Sequence, residues 1–330
     1  MNEQGAKTVS VIDPVGKAID RVKEVLFNPF DIGRWFIIGF CAWLGRFGQG
    51  GGGGGSFNPG RWGDGASPTE VRGWVLEHLP IIIGVGLSVV IIGLVIGIVF
   101  LWLSSRGRFM FLHCVAENKA EVKTPWYKFR NEAGSLFVFR LVVGIIGFTF
   151  MAVLGGVLAL FIFLIARKSA YAAPALVVGI LLFVLTAIIV GIGFALIGKF
   201  TKDFVVPVMY LRRCRCLDAW GEFGRLLGGN KGRFTLYILF QIVISMAIGT
   251  IVMALACVTC CCAACIFAIP YIGTVALLPI FVFGRSYSLY YLAQYGDEYD
   301  VFIPVAQPHE PPFVEPQGEE PTDQSPGPVE

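Results

Sequence analysis

The chain has 330 residues, 55% of them hydrophobic and only 15% charged, well below the roughly 25% charged residues of a soluble domain. The formal net charge of +3 hides a segregation of signs. From Asp297 to Glu330 there are nine acids and no Lys or Arg, so the remainder is distinctly basic. Nine cysteines at this length exclude a small secreted disulfide scaffold. Long uncharged runs, Leu141–Ala166, Ser169–Gly198 and the 51 residues Phe234–Gly284, exclude ordinary amphipathic helices. They match helices that must satisfy their own backbone in lipid.

The polar stretch Met1–Val9 lacks the apolar core of a cleavable signal. Asp13-Pro14 opens a helix with Asp13 as cap. Val15, Ala18, Ile19, Val22 and Leu26 recur at helical spacing, so this helix either lies on the membrane surface or packs on a cytoplasmic loop. A first span is expected over Phe27–Phe47 if Asp31 and Arg34 pair near the interface, with a re-entrant segment as its rival. The Gly-rich run Gly50–Gly55 lacks the Gly-Lys-Ser/Thr ending of a phosphate loop and reads as a linker.

Five clearer spans follow, near Pro80–Leu103, Leu136–Leu164, Ala172–Ile197, Phe234–Ala256 and Phe267–Leu289. Gly93 and Gly97 form a GxxxG pair that permits close helix approach. Pro174, Pro270 and Pro279 are tolerated in ordinary spans but also suit broken transporter helices. With six spans, 21 of the 26 Lys and Arg fall on one side, which places both termini in the cytoplasm of a plasma or inner-membrane protein.

The fold class is therefore all-α: a polytopic membrane bundle of about six helices joined by amphipathic cytoplasmic connectors. Residues 1–30 form a cytoplasmic N-terminus and 31–295 the membrane domain. That domain has an external Gly-rich loop at 48–79 and connectors at 104–135 and 199–233. The acidic, Pro-rich segment 296–330 is expected to be disordered. The connectors suggest an internal repeat. Arg106-Gly107-Arg108-Phe109 precedes Trp126 and Phe129, and Lys199–Phe204 precedes Trp220 and Phe223 at matching spacing. Trp126, Trp220, Arg106, Arg108, Arg140, Arg212, Arg213 and Arg285 are accordingly expected at the lipid interface, facing anionic headgroups.

Few residues suggest chemistry. Cys257, Cys260, Cys262 and Cys265 make two CxxC pairs, but their separation is too short for four thiolates to converge on zinc. Small-residue packing or a disulfide suits them better, and no cofactor is implied. His113-Cys114 could be a catalytic or metal pair, but it reads better as a satisfied histidine. Gln241 is the clearest polar residue within a span.

Phe27-Asn28-Pro29-Phe30-Asp31-Ile32-Gly33-Arg34-Trp35, the Arg106–Phe109 motif and Phe283-Gly284-Arg285-Ser286-Tyr287-Ser288-Leu289-Tyr290-Tyr291 resemble a group of uncharacterised multi-span membrane proteins of bacteria and archaea. That group is loosely similar to the membrane portion of glycerophosphodiester phosphodiesterases. The resemblance implies a membrane fold and no activity, because those enzymes carry their chemistry in a separate soluble barrel. The reading that results is a non-enzymatic scaffold, partner-binding or lipid-organising module. Its partners would be inner-leaflet lipids and a cytoplasmic protein bound through the acidic tail, with no nucleic acid and no signal for an oligomeric state. A transporter or channel for a small or amphipathic solute and a lipid-modifying membrane enzyme are the alternatives.

Overall fold

The computed structural model describes residues 9–46, 77–166, 172–258 and 269–302. The chain is helical, with no strand among these residues. In chain order the helices are α1 (Asp13–Leu26), α2 (Ile32–Arg46), α3 (Leu79–Glu117), α4 (Lys123–Lys128), α5 (Arg130–Ala166), α6 (Ala172–Phe200), α7 (Val206–Arg212), α8 (Cys216–Gly229), α9 (Lys231–Val258), α10 (Pro270–Ala276) and α11 (Leu278–Ala293). A π-helical turn, Thr201–Val205, joins α6 to α7. The glycine-rich loop, the cysteines beyond Val258 and the acidic tail from residue 303 lie outside the described residues.

Four helical stretches are long and apolar enough to cross a membrane: Leu79–Glu117, Arg130–Ile165, Leu176–Arg212 and Lys231–Leu255. Their most apolar windows are not buried in protein at all. A row of exposed Ile, Val, Leu and Phe this extensive would be an aggregation surface in water. It fits an integral membrane protein.

The buried core lies elsewhere, where the ends of these helices meet the connectors. Phe109 stacks on Phe129 with ring centroids 5.7 Å apart, and Phe204 stacks on Phe223 at 5.2 Å. Phe204 also meets Phe234 and Tyr237, and Tyr237 packs on Tyr287 and Tyr291. Left-handed residues end two of the helices that feed this core, Asn118 at φ 55° and Arg213 at φ 53°. Asn tolerates that region. Arg213 is held there by its bonds to the Lys128 carbonyl (2.8 Å) and the Glu132 carboxylate (3.2 Å).

Several expectations are corrected. Asp13 does not cap α1. The Ser10 hydroxyl accepts from the amides of Ile12 and Asp13 at 3.2 Å instead, because a hydroxyl set before the helix can face its free N–H groups. Helix α1 buries Ala18, Val25 and Leu26 and lies against α11. Asp31 and Arg34 do not pair. Asp31 accepts from the Gly33 amide at 2.7 Å, and Arg34 reaches the carbonyl and side-chain oxygens of Asn118, both at 2.9 Å.

The first and sixth expected spans are not single long helices. Among the described residues α2 covers 15 residues, about 22 Å, and starts at Ile32 rather than Phe27. It runs antiparallel to the last part of α3, with Arg34 beside Asn118, Cys41 beside Cys114 and Gly45 beside Gly107. The sixth is broken at Leu277, between α10 and α11, with a proline in the first turn of each. Among the described residues, Gly93 and Gly97 mark no close helix approach either, since nothing lies within 4 Å of a side-chain carbon built on them. The close approach falls at Gly45 and Gly107.

Candidate functional site

The site forms where a few charged residues interrupt otherwise apolar helices. Lys199 and Asp203 are four residues apart, which in a helix puts them on one face, and they pair at 2.9 Å. Tyr237 and Gln241 have the same spacing on α9, and the Gln241 amide donates to the Tyr237 hydroxyl at 3.2 Å. The two pairs interlock. Tyr237 donates to Asp203 at 3.1 Å, and Lys199 donates to the Gln241 side-chain oxygen at 2.8 Å. A closed ring of four side chains thus ties the end of α6 to α9. Asp203 sits in the π turn, and such turns recur at functional sites because they re-aim side chains.

This ring borders a cavity of about 650 Å³. Arg46 from α2, Arg108 from α3, Lys202 from the π turn and Arg285 from α11 complete its charged lining. Arg108 and Arg285 are 7% and 5% exposed, and their Nε atoms meet no hydrogen-bond acceptor among the described residues. Arg285 donates from its Nη1 to the Lys202 carbonyl. Arg46 stacks over the Phe281 ring at 3.9 Å. Most of the rest of the lining is apolar, with Ile244, Ile248 and Val252 from one face of α9 and Leu277, Ile280 and Phe281 around the α10–α11 break. Polarity changes along both walls, from Gln241 to Met253 on α9 and from Arg285 back to Leu277 on α11. The α9 wall is about 18 Å long.

The residues expected at the lipid interface divide. Arg106 lies over the rings of Trp102 and Trp126, 4.6 Å from each centroid. Arg212 is partly exposed and pairs with Glu222 (3.1 Å) and Glu298 (2.7 Å). Arg140 turns inward to the hydroxyls of Ser104 (3.3 Å) and Ser105 (3.0 Å). Arg108 and Arg285 are in the protein interior instead of facing lipid, because the connectors fold onto the helix ends. Trp220 packs on Phe139 and Phe223, with its indole N–H buried and unpartnered among the described residues. Cys257 is an exposed free thiol, while Cys260, Cys262 and Cys265 lie outside the described residues.

A second cavity, about 640 Å³, lies between α5 and the Arg213–Leu217 segment. Two thiols line it. Burial raises that of Cys214, and it pushes the Cys216 thiol up to about 12.

His113 has an acidic neighbour that the sequence reading overlooks. Glu117, one turn on, lies 3.2 Å from its Nδ1, and Tyr210 approaches both at 3.1 and 3.3 Å. His113 is buried against Phe129, and neither cavity is lined by this trio. It ties α3 to α7. Among the described residues, no group of three or more His, Cys, Asp or Glu could hold a metal ion.

Of the site's residues, the sequence singles out Gln241, Arg108 and Arg285. It places Lys199, Lys202 and Asp203 only in a connector motif and gives Arg46 and Tyr237 no role in a site. The two four-residue spacings are the available signal for three of them.

No curated protein and no solved structure matches the chain. The likeness to the membrane portion of glycerophosphodiester phosphodiesterases finds no support in these comparisons. Residues 9–294, nearly the whole helical body, match one family, and the chain belongs to it: DUF7544, a family of unknown function.

Proposed function

We propose that this chain is a multi-pass membrane module that binds an amphipathic molecule and acts as a lipid-organising or partner-binding element rather than as an enzyme. The observation that carries this reading is the cavity, charged at one part of its wall and apolar over the rest. Ligand pockets characteristically combine apolar walls with a few placed polar groups.

Four helices supply crossings by length and apolarity. The six-segment reading adds α2 and the α10–α11 pair as further inserted elements, and the Lys/Arg asymmetry supports it, with both termini cytoplasmic in the plasma or inner membrane. Support for a repeat comes from the stacks Phe109–Phe129 and Phe204–Phe223, which join sequence-equivalent residues in equivalent ways. The acidic segment after Ala306 is the proposed contact for a cytoplasmic protein.

Transport is the second reading. It is favoured by one specific observation, that Gln241 and the broken α10–α11 junction line the same cavity. A lipid-modifying enzyme is less favoured, since the His113–Glu117–Tyr210 trio borders neither cavity.

Purification in mild detergent, followed by extraction of retained amphiphiles, tests the binding reading. Stoichiometric retention is expected. Partner-free protein that retains nothing and drives solute flux in vesicles would shift the assignment to transport. Affinity capture with and without the segment after Ala306 tests the partner.

A further inference from the structure

We infer that the cavity between α2, α3, α9 and α11 is a site for one anionic phospholipid, its phosphate held by Arg46, Arg108, Lys202 and Arg285 and its acyl chain lying along α9. The inference rests on the amphiphile-binding reading above and names the ligand's class.

Charge comes first. The ionic lining consists of five cations and one carboxylate, Asp203. Asp203 is already engaged by Lys199 at 2.9 Å and by the Tyr237 hydroxyl at 3.1 Å. Four cations therefore face the cavity without a carboxylate of their own in its lining. Guanidinium groups buried this way are costly unless paired and hydrogen-bonded. Arg108 and Arg285 are both more than nine-tenths buried, and each leaves an Nε–H without an acceptor among the described residues. An anion with several acceptor oxygens supplies what is missing. Phosphate suits Arg best, since its oxygens can take paired N–H bonds from the planar fork. With five cations against the one carboxylate, the positive surplus favours a headgroup with two or more negative charges over a single phosphodiester.

The apolar wall then selects among phosphates. A soluble phosphate would leave Ile244, Ile248 and Val252 facing water, along with Leu277, Ile280 and Phe281. A lipid covers them with its chain, and the wall from Gln241 to Met253, about 18 Å long, can follow much of an acyl tail. The same α9 stretch belongs to a helix apolar enough to cross a membrane, so lipid is the abundant solute beside it.

The test uses full-length protein reconstituted in phosphatidylcholine bilayers doped with phosphatidic acid or phosphatidylglycerol. After re-extraction, retained lipid is quantified by native mass spectrometry. Phosphatidic acid should be retained over phosphatidylcholine by roughly tenfold or more, with phosphatidylglycerol between them. R108Q and K202Q should each abolish most of that preference. K202Q is included because Lys202 is less buried than Arg108, and a monodisperse elution profile verifies that the fold survives. I248W fills the apolar wall without touching charge and should reduce lipid retention.

Equal retention of phosphatidylcholine overturns the inference while leaving amphiphile binding standing. Inorganic phosphate that displaces the lipid at equal concentration overturns the lipid source in favour of a soluble anion. No retained lipid from any bilayer removes both this inference and the reading beneath it.

Discussion

Gly45 and Gly107 bring the backbones of α2 and α3 into direct contact. A side-chain carbon on Gly107 would stand 2.6 Å from the Leu44 carbonyl carbon and 2.9 Å from the Gly45 Cα. These are backbone atoms, so the clash cannot be relieved by a rotamer change. Gly107→Ala should therefore separate the helices and cost about 1–3 kcal/mol, the range for overpacking. Gly93→Ala and Gly97→Ala, with nothing within 4 Å, should be neutral or slightly stabilising, because Ala is the better helix former. Thermal unfolding in detergent checks the contrast. Equal effects at Gly97 and Gly107 would contradict the packing.

Asp203 is the carboxylate that compensates the charged end of the cavity. Asp203→Asn should be strongly destabilising, by about 3–5 kcal/mol, as expected when one partner of a buried ion pair is removed. Tyr237→Phe removes one hydrogen bond to the same carboxylate and should cost about 0.5–1.5 kcal/mol. Since Tyr237 also bonds Gln241, a double-mutant cycle of Tyr237→Phe with Gln241→Leu should be non-additive. Additive behaviour would mean that the four-residue ring does not act as a unit.

Cys214 and Cys216 differ in burial though they are two residues apart, the first half-buried and the second 1% exposed. Burial pushes the Cys216 thiol from 9.0 to about 12. Near pH 8 its alkylation should lag that of an ordinary thiol by about two to three orders of magnitude, since only the thiolate reacts. The raised value also has a stability consequence. Below pH 9 the thiol is protonated in both folded and unfolded chains. As pH rises from 9 towards 12 the unfolded chain loses the proton first, so stability falls across that window. Cys216→Ser should flatten the decline. The same thiols report topology: labelling of Cys214 by an impermeant reagent in intact cells would overturn the cytoplasmic assignment of this connector.

Arg21 closes the end of α3. Its Nε and Nη2 donate to the Val115 carbonyl at 3.0 and 2.8 Å, and Nη2 also reaches the Ala116 carbonyl at 2.7 Å. A cation on the free carbonyls of a helix C-terminus is doubly favourable, through hydrogen bonds and the helix dipole. Arg21→Ala should cost about 1.5–3 kcal/mol and Arg21→Lys less. Hydrogen exchange should localise the loosening to α1 and the end of α3. Unchanged protection there would show that the contact carries no stability.

The apolar runs by themselves determined the helical class and the four helices able to cross a membrane, because a segment of about 20 apolar residues is a local property of the chain. The similar separations of Phe109 from Phe129 and Phe204 from Phe223, 20 and 19 residues, are visible in the sequence too, but their stacking is decided by the fold. The ends of the bundle lie beyond that reading. Sequence proximity assigns Arg34 to Asp31, yet it bonds Asn118, and the periodicity of α1 says nothing of α11, which covers it. The cavity depended on tertiary structure altogether. Arg46, Arg108, Lys202 and Arg285 come from four separate elements, and each read alone is a basic residue near the end of an apolar run, where snorkelling to water is the cheap solution. Only the packing of α2, α3 and α11 around the π turn closes that route. With it closed for Arg108 and Arg285, these two buried guanidiniums line one cavity with the more exposed Arg46 and Lys202, which is what makes an anion their natural partner.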